Sequence, residues 1–412
     1  MPGALDDRKR AMDFHRIRQL PPYVFAEVNQ LKALARAAGE DIIDFGMGNP
    51  DSGTPAHIVE KLIESAQDPR AHRYSTSRGI PGLRRAVAAY YDRRFGVEID
   101  PESETIVTLG SKEGLANLAS AITAPGDIIL VPNPSYPIHP YGFIIAGAKI
   151  QHVPQRPGRD FLDDFKRAVE TSDRPPVAVV LNYPSNPTAM VVNLDFYGEM
   201  VEFCRAKQVF ILSDLAYSEI YFDSPPPSIL QIPGAREIAV EFTSLSKTYS
   251  MPGWRIGFAT GNKELIYALA RIKSYLDYGA FTPIQVAASA ALNGPQQCID
   301  EIRALYKQRR DVLVQSMASA GWEIPSPPAS MFAWAPIPEE FVQAGSMEFS
   351  KMLLTHAQVA VSPGIGFGEH GEGYVRIALV ENEQRTRQAA RSVRKFIASP
   401  PAEFDPKQAV AS

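Results

Sequence analysis

From about residue 105 to 260, short and nearly unbroken apolar runs alternate with longer stretches of helical period. The runs ETIVTLG, DIILVPN, AKIQHVP, VAVVLNY, VFILSD and GFATG favour Val, Ile and Leu, as strands buried on both faces do. Between them, SKEGLANLASAI (111–122) and LDFYGEMVEFCRAKQ (194–208) place apolar residues at helical spacing. The alternation predicts an α/β domain with a parallel sheet flanked by helices. Such sheets bind ligands outside the carboxyl ends of their strands. Here those ends read LGSKEG, NPSYP, NYPSNP and SDLAY, so polar and ring-bearing residues collect on one rim.

Further along, a helix is expected over 263–277, another from FTPIQVAASAAL, and a long amphipathic one over 296–320. The last leads toward a second, smaller domain with ASMFAWAPI, VAVSPGIGFG and YVRIALV as strands. The expected division is 1–60 for an N-terminal arm with part of the small domain, 61–295 for the large domain, and 296–398 for the C-terminal small domain. Residues 399–412 lack periodicity and are expected to be a disordered tail.

Composition narrows the function classes. The chain has 412 residues, 45% hydrophobic and 21% charged, an ordinary globular balance. A net charge of −4 argues against a nucleic-acid surface. No apolar run approaches the roughly 20 residues of a membrane helix. The N-terminus shows no apolar signal region, so a soluble cytoplasmic protein is expected. Cys204 and Cys298 give neither a disulfide framework nor a metal cluster, and no metal is expected.

The chemistry gathers on the rim. In SLSKTYSMPGWRIGF, Lys247 sits in an uncharged run with Arg255 eight residues on. A poorly solvated ammonium near another cation loses pKa and becomes a nucleophile toward aldehydes; the alternative is a snorkelling surface lysine. Asp214, ending VFILSD, either caps a helix or holds a heteroaromatic nitrogen protonated, as pyridoxal phosphate requires. The glycine turn in TLGSKEGL places the amides of Ser111 and Lys112 at a helix start, where anions bind; an ordinary strand-to-helix turn reads the same way. Ser244, Ser246 and Arg255 add groups that suit phosphate oxygens. Tyr136 on a proline-braced turn suits stacking on a flat ring. Asn186 and Tyr217 could both bond a phenolic oxygen, and the Asn186–Pro187 bond could be cis. Arg376, between apolar neighbours in a strand, needs an anion: a substrate carboxylate or an internal partner.

Taken together these residues resemble the class I/II aminotransferases of pyridoxal-phosphate fold type I, over nearly the whole chain. SLSKTYSMPGWRIGF is similar to the family's lysine motif, and SDLAY, PSNPT, NPSYP and VRIAL fall in the family's order. LPPYVF, DFGMGNPD, YSTSRGIPGLR, GSKEGL and VSPGIGFGEHGEGYVRIALVEN resemble the bacterial alanine (glutamate–pyruvate) aminotransferases, a group near the LL-diaminopimelate aminotransferases. The resemblance implies a large domain with a mostly parallel seven-stranded sheet and a smaller α+β domain. It implies pyridoxal 5'-phosphate on Lys247 as a Schiff base, Asp214 facing its pyridine nitrogen, and Asn186 and Tyr217 facing its phenolic oxygen. Tyr136 would stack on the ring, and Ser111, Lys112, Ser244, Ser246 and Arg255 would surround the phosphate. Tyr74 would reach the partner subunit's phosphate, making a homodimer the functional unit. Arg376 would clamp the α-carboxylate, with Tyr23 and Gly48 at the substrate entrance. The implied reaction is ping-pong transamination between L-alanine and 2-oxoglutarate. Alternatives are LL-diaminopimelate as donor, with Tyr23, Tyr275, Tyr278 and Phe281 lining its pocket, or a carbon–sulfur lyase. A ligand-sensing regulator is disfavoured, because no helix-turn-helix pattern or basic patch precedes GMGNPD.

Overall fold

The structure, a computed structural model, describes residues 14–21, 24–156 and 158–400. The strands in chain order are β1 (Ile43–Asp44), β2 (Thr105–Thr108), β3 (Ile128–Asn133), β4 (Lys149–Pro154), β5 (Ala178–Asn182), β6 (Phe210–Asp214), β7 (Ala239–Ser244), β8 (Gly257–Gly261), β9 (Phe332–Pro336), β10 (Val359–Ala360), β11 (Ser362–Pro363) and β12 (Tyr374–Ala378). Seven of them form a central sheet in the order β2-β8-β7-β6-β5-β3-β4. β8 runs antiparallel to both neighbours, and the other pairings are parallel.

Alternation along β5 shows how the sheet is covered. Val179 and Leu181 join one apolar cluster with Tyr91, Tyr197 and Met200 from the helices Pro81–Phe95 and Leu194–Lys207. Ala178 and Val180 face the other way, toward Leu115, Leu118, Phe143 and Leu269 from Ser111–Ile122, Ile138–Ala146 and Lys263–Leu276. Burial on both faces explains the continuous apolar runs. At the sheet edge, β4 leaves Lys149 and His152 exposed.

One strand escapes the reading of apolar runs. β7 reads AVEFTS, and Glu241 in its middle breaks the hydrophobic pattern. Its carboxyl is fully buried and accepts from Ser228 Oγ (2.6 Å), Ile229 N (3.0 Å) and Tyr91 Oη (3.1 Å). Burial outweighs these bonds and pushes its pKa up to about 7. A carboxyl satisfied this fully can occupy a central strand.

A three-stranded antiparallel sheet, β11-β12-β9, and the parallel pair β1-β10 organise a second core around Trp322, Phe332, Phe341, Phe349 and Phe396. The helices Gln297–Ser319 and Glu383–Ala398 pack against each other beside it. Ile43 on β1 and Phe45 directly after it join that cluster, and Ala378 N donates to Phe45 O (2.8 Å). No helix among the described residues is long and apolar enough to cross a membrane.

Candidate active site

The carboxyl ends of β2, β3, β5, β6 and β7 open into a cavity of about 280 Å³, closed on the far side by β1, β11, β12 and the helix Ala26–Ala37. It is lined by Ser111, Lys112, Tyr136, Asn186, Asp214, Tyr217, Ser244, Ser246, Lys247, Arg255, Arg376 and Gly48, residues the sequence singled out from widely separated segments.

Lys247 lies in a short helical turn, Leu245–Thr248, directly after β7. Its Nζ donates to Gly48 O at 2.9 Å. Burial is the main reason its pKa falls to about 8, with the Arg376 and Arg255 charges adding to the effect. A neutral amine is therefore available near physiological pH.

At one end of the cavity, Gly110 caps the helix Ser111–Ile122 with φ +83°. A Cβ there would lie 2.4 Å from Arg255 Nη2, so only glycine allows the guanidinium to lie against this turn. Arg255 is an exposed residue and donates to Pro252 O (3.0 Å) and Leu109 O (3.2 Å). Ser244 Oγ accepts from Ser246 N (3.2 Å), while the buried Ser246 Oγ has no protein partner. The free amides, the hydroxyl and the two cations Lys112 and Arg255 make this end an anion cup.

At the floor, Asp214 ends β6 and is 5% exposed. Its Oδ2 lies 3.0 Å from His139 Nε2, and its Oδ1 accepts from Ala216 N (3.2 Å). His139, 1% exposed, was missed from sequence because its signal is a lone histidine in NPSYPIHP. Tyr136 stands edge-on to His139, with ring centroids 5.9 Å apart. Asn182, also missed, donates to Asp214 O (2.8 Å) and accepts from Asn186 N (2.8 Å), fixing two site residues at once. The Asn186–Pro187 bond is cis.

Arg376, on β12, reaches across from the smaller core. Its Nη1 donates to Asn186 Oδ1 (2.8 Å) and its Nη2 to Gly46 O (3.0 Å) and Ser362 Oγ (3.3 Å), three neutral oxygens. The guanidinium lies 4.2 Å from the Phe332 ring centre and 4.7 Å from that of Phe367. Tyr217 is buried, with Asn186 within hydrogen-bonding reach, and burial drives its hydroxyl pKa far up.

Tyr74, Tyr275, Tyr278 and Phe281 lie outside the cavity of this chain. Tyr74 is 85% exposed and packs on Tyr278, with centroids 4.7 Å apart. Tyr23 lies outside the described residues. Phe25, Val28, Asn29 and Lys32, from the start and one face of the helix Ala26–Ala37, also line the cavity and were not anticipated.

The family model for aminotransferase class I and II matches residues 40–393. A Rhizobium meliloti protein, AatC, named only provisionally as an aminotransferase, is 63% identical over 94% of this chain and 96% of its own length. The glutamate-pyruvate aminotransferase AlaC of Escherichia coli is 56% identical over 94% of each chain. A solved single mutant of Thermus thermophilus aspartate aminotransferase superposes with a TM-score of 0.87 at 27% identity, covering 93% of this chain and 99% of that one. Enzymes of this family work with pyridoxal 5'-phosphate. The residues present fit that group: an amine of lowered pKa, a buried carboxylate, and an anion cup holding an unpartnered buried hydroxyl. The chain belongs to the class I and II aminotransferases, is a pyridoxal-phosphate-dependent transaminase, and acts on amino and keto acids.

Proposed function

We propose that the enzyme moves an amino group between L-alanine and 2-oxoglutarate, giving pyruvate and L-glutamate, in ping-pong turnover. The observation that carries the reading is one cavity lined both by a lysine of pKa about 8 and by a guanidinium reaching in from the smaller core. The likeness to AlaC supports alanine and glutamate as the pair.

Bound pyridoxal phosphate supplies an electron sink that makes an amino acid's α-proton removable. The protein's part is to bind, orient and move protons. Lys247 would carry the cofactor between half-reactions and, once released, its neutral Nζ takes the substrate's α-proton and holds it for redelivery. Asp214, braced by His139, would face the pyridine nitrogen. Tyr217, held protonated by burial, would donate toward the phenolic oxygen beside Asn186. Tyr136 would stack on the ring, while Ser111, Lys112, Ser244, Ser246 and Arg255 would surround the phosphate. Arg376 grips the α-carboxylate in a bidentate fork, with Gly48 and Tyr23 at the entrance. The functional unit would be a homodimer in which Tyr74 reaches toward the cofactor phosphate bound by the partner subunit.

The test is to follow the cofactor's visible absorption while L-alanine is added without a keto acid, then 2-oxoglutarate. Loss of the band with alanine and its return with 2-oxoglutarate is the expected result. Conversion by LL-diaminopimelate and not by alanine would overturn the assignment. Pyruvate and ammonia released from a cysteine conjugate would move the chain to the carbon–sulfur lyases.

A further inference from the structure

Lys273 is fully buried, with a relative exposure of 0%. It projects from the helix Lys263–Leu276, away from the cavity lining, and takes no part in the chemistry above. Its Nζ is held between two carboxylates, Glu113 Oε1 at 2.6 Å and Asp277 Oδ2 at 2.9 Å. Glu113 stands in the first turn of the helix whose N-terminus forms the anion cup, directly after Ser111 and Lys112. It turns back on that end: its Oε2 accepts from Leu109 N (2.8 Å), and Leu109 O accepts from Arg255. A carboxylate in the first turn stabilises its own helix but repels a phosphate brought to the same N–H groups. The anion cup therefore contains a built-in opponent of its ligand.

We infer that Lys273 is a positioning residue for the cofactor's phosphate: it offsets the Glu113 charge from behind, so that the Ser111–Lys112 amides, Lys112 and Arg255 present a net attraction. Asp277, the second carboxylate, anchors the ammonium from the segment after its own helix. That segment is tied in turn, with Asp277 Oδ1 accepting from Gly279 N (2.6 Å) and Asp277 O from Ser77 Oγ (2.5 Å). The inference rests on the phosphate lying at Ser111–Lys112, as proposed above.

The test compares dissociation constants for pyridoxal phosphate and unphosphorylated pyridoxal, read by fluorescence, in wild type, Lys273→Met, Glu113→Gln and the double variant. Wild type preferring the phosphorylated aldehyde tests the cup itself; absence of any preference would sink that reading, independently of Lys273. In Lys273→Met the preference should fall by about tenfold or more, since the Glu113 carboxylate in the first turn would then oppose the phosphate with no ammonium against it. Removing Glu113 as well should restore most of it, which repair of packing alone would not do. Glu113→Gln alone should leave the preference unchanged or raised, and Lys273→Gln, which keeps a polar group between the two carboxylates but no charge, should show the same fall if Lys273→Met fails to fold. The inference is overturned if folded Lys273→Met keeps the wild-type preference, if the double variant is not rescued, or if Glu113→Gln weakens phosphate recognition.

Discussion

Lys247 donates to Gly48 O, a weak substitute for water around an ammonium, and burial with two nearby guanidinium groups brings its pKa to about 8. In the cofactor-free protein the rate of reaction with pyridoxal phosphate should rise with pH up to about 8 and then level, because only the unprotonated amine attacks. An ordinary solvated lysine would go on gaining toward its unperturbed value of about 10.4. Stopped-flow absorbance from about pH 6 to about pH 10 checks this, and a profile still climbing above about 9 would contradict it. Lys247→Ala should lower turnover by at least about a thousandfold, since it removes both the attachment point and the proton carrier. Turnover at the wild-type rate in a steady-state assay would remove Lys247 from the mechanism. His139 teaches a different lesson at this scale. A single histidine in a proline-rich turn looks like packing until β6 brings Asp214 to 3.0 Å from its Nε2.

Among elements, the turn from β2 into the helix Ser111–Ile122 depends on Gly110. Its φ of +83° lies in the left-handed region, and Arg255 fills the space where a side chain would start. Gly110→Ala should strain the backbone by roughly 1–2 kcal/mol and displace the guanidinium. Isothermal titration should then show that pyridoxal phosphate has lost more affinity than pyridoxal relative to wild type; unchanged affinities for both would refute the packing argument. The strands show where local pattern is sufficient and where it fails. β3, β5 and β6 were legible because they are buried almost throughout, so their positions are mostly apolar until the strand ends. β7 was not, because Glu241 belongs to it only by virtue of Ser228, Ile229 and Tyr91, whose arrival no window of sequence reveals.

At the scale of the whole molecule, Tyr74, Tyr275 and Tyr278 are 85%, 77% and 63% exposed, and Leu276 is 61% exposed beside them. Exposed aromatic and apolar side chains gathered this closely mark a docking face. The proposed homodimer predicts a particle of two chains in light scattering after size exclusion. It also predicts that mixing inactive Lys247→Ala subunits with Tyr74→Ala subunits yields hybrids more active than either parent. A monomer that retains full activity would refute both. Joining the two cores has a further consequence, because Arg376 comes from β12 and its Asn186 partner from the loop after β5. Any motion between these elements would open or close the carboxylate fork.

The sequence by itself determined the α/β alternation and the rim on which chemistry collects, because burial on both faces is written in consecutive residues, and its motifs in order carried the family resemblance. It also named twelve of the residues that line the cavity, since many of them follow a strand whose carboxyl end was legible. Only the tertiary structure decided which groups answer one another across the fold. His139 meets Asp214, Asn182 fixes Asn186, Arg376 crosses from the second core, and Lys273 lies between Glu113 and Asp277. Each of these contacts joins residues whose charges and hydrogen bonds matter only at a few ångströms, and that separation is set by packing rather than by any local pattern.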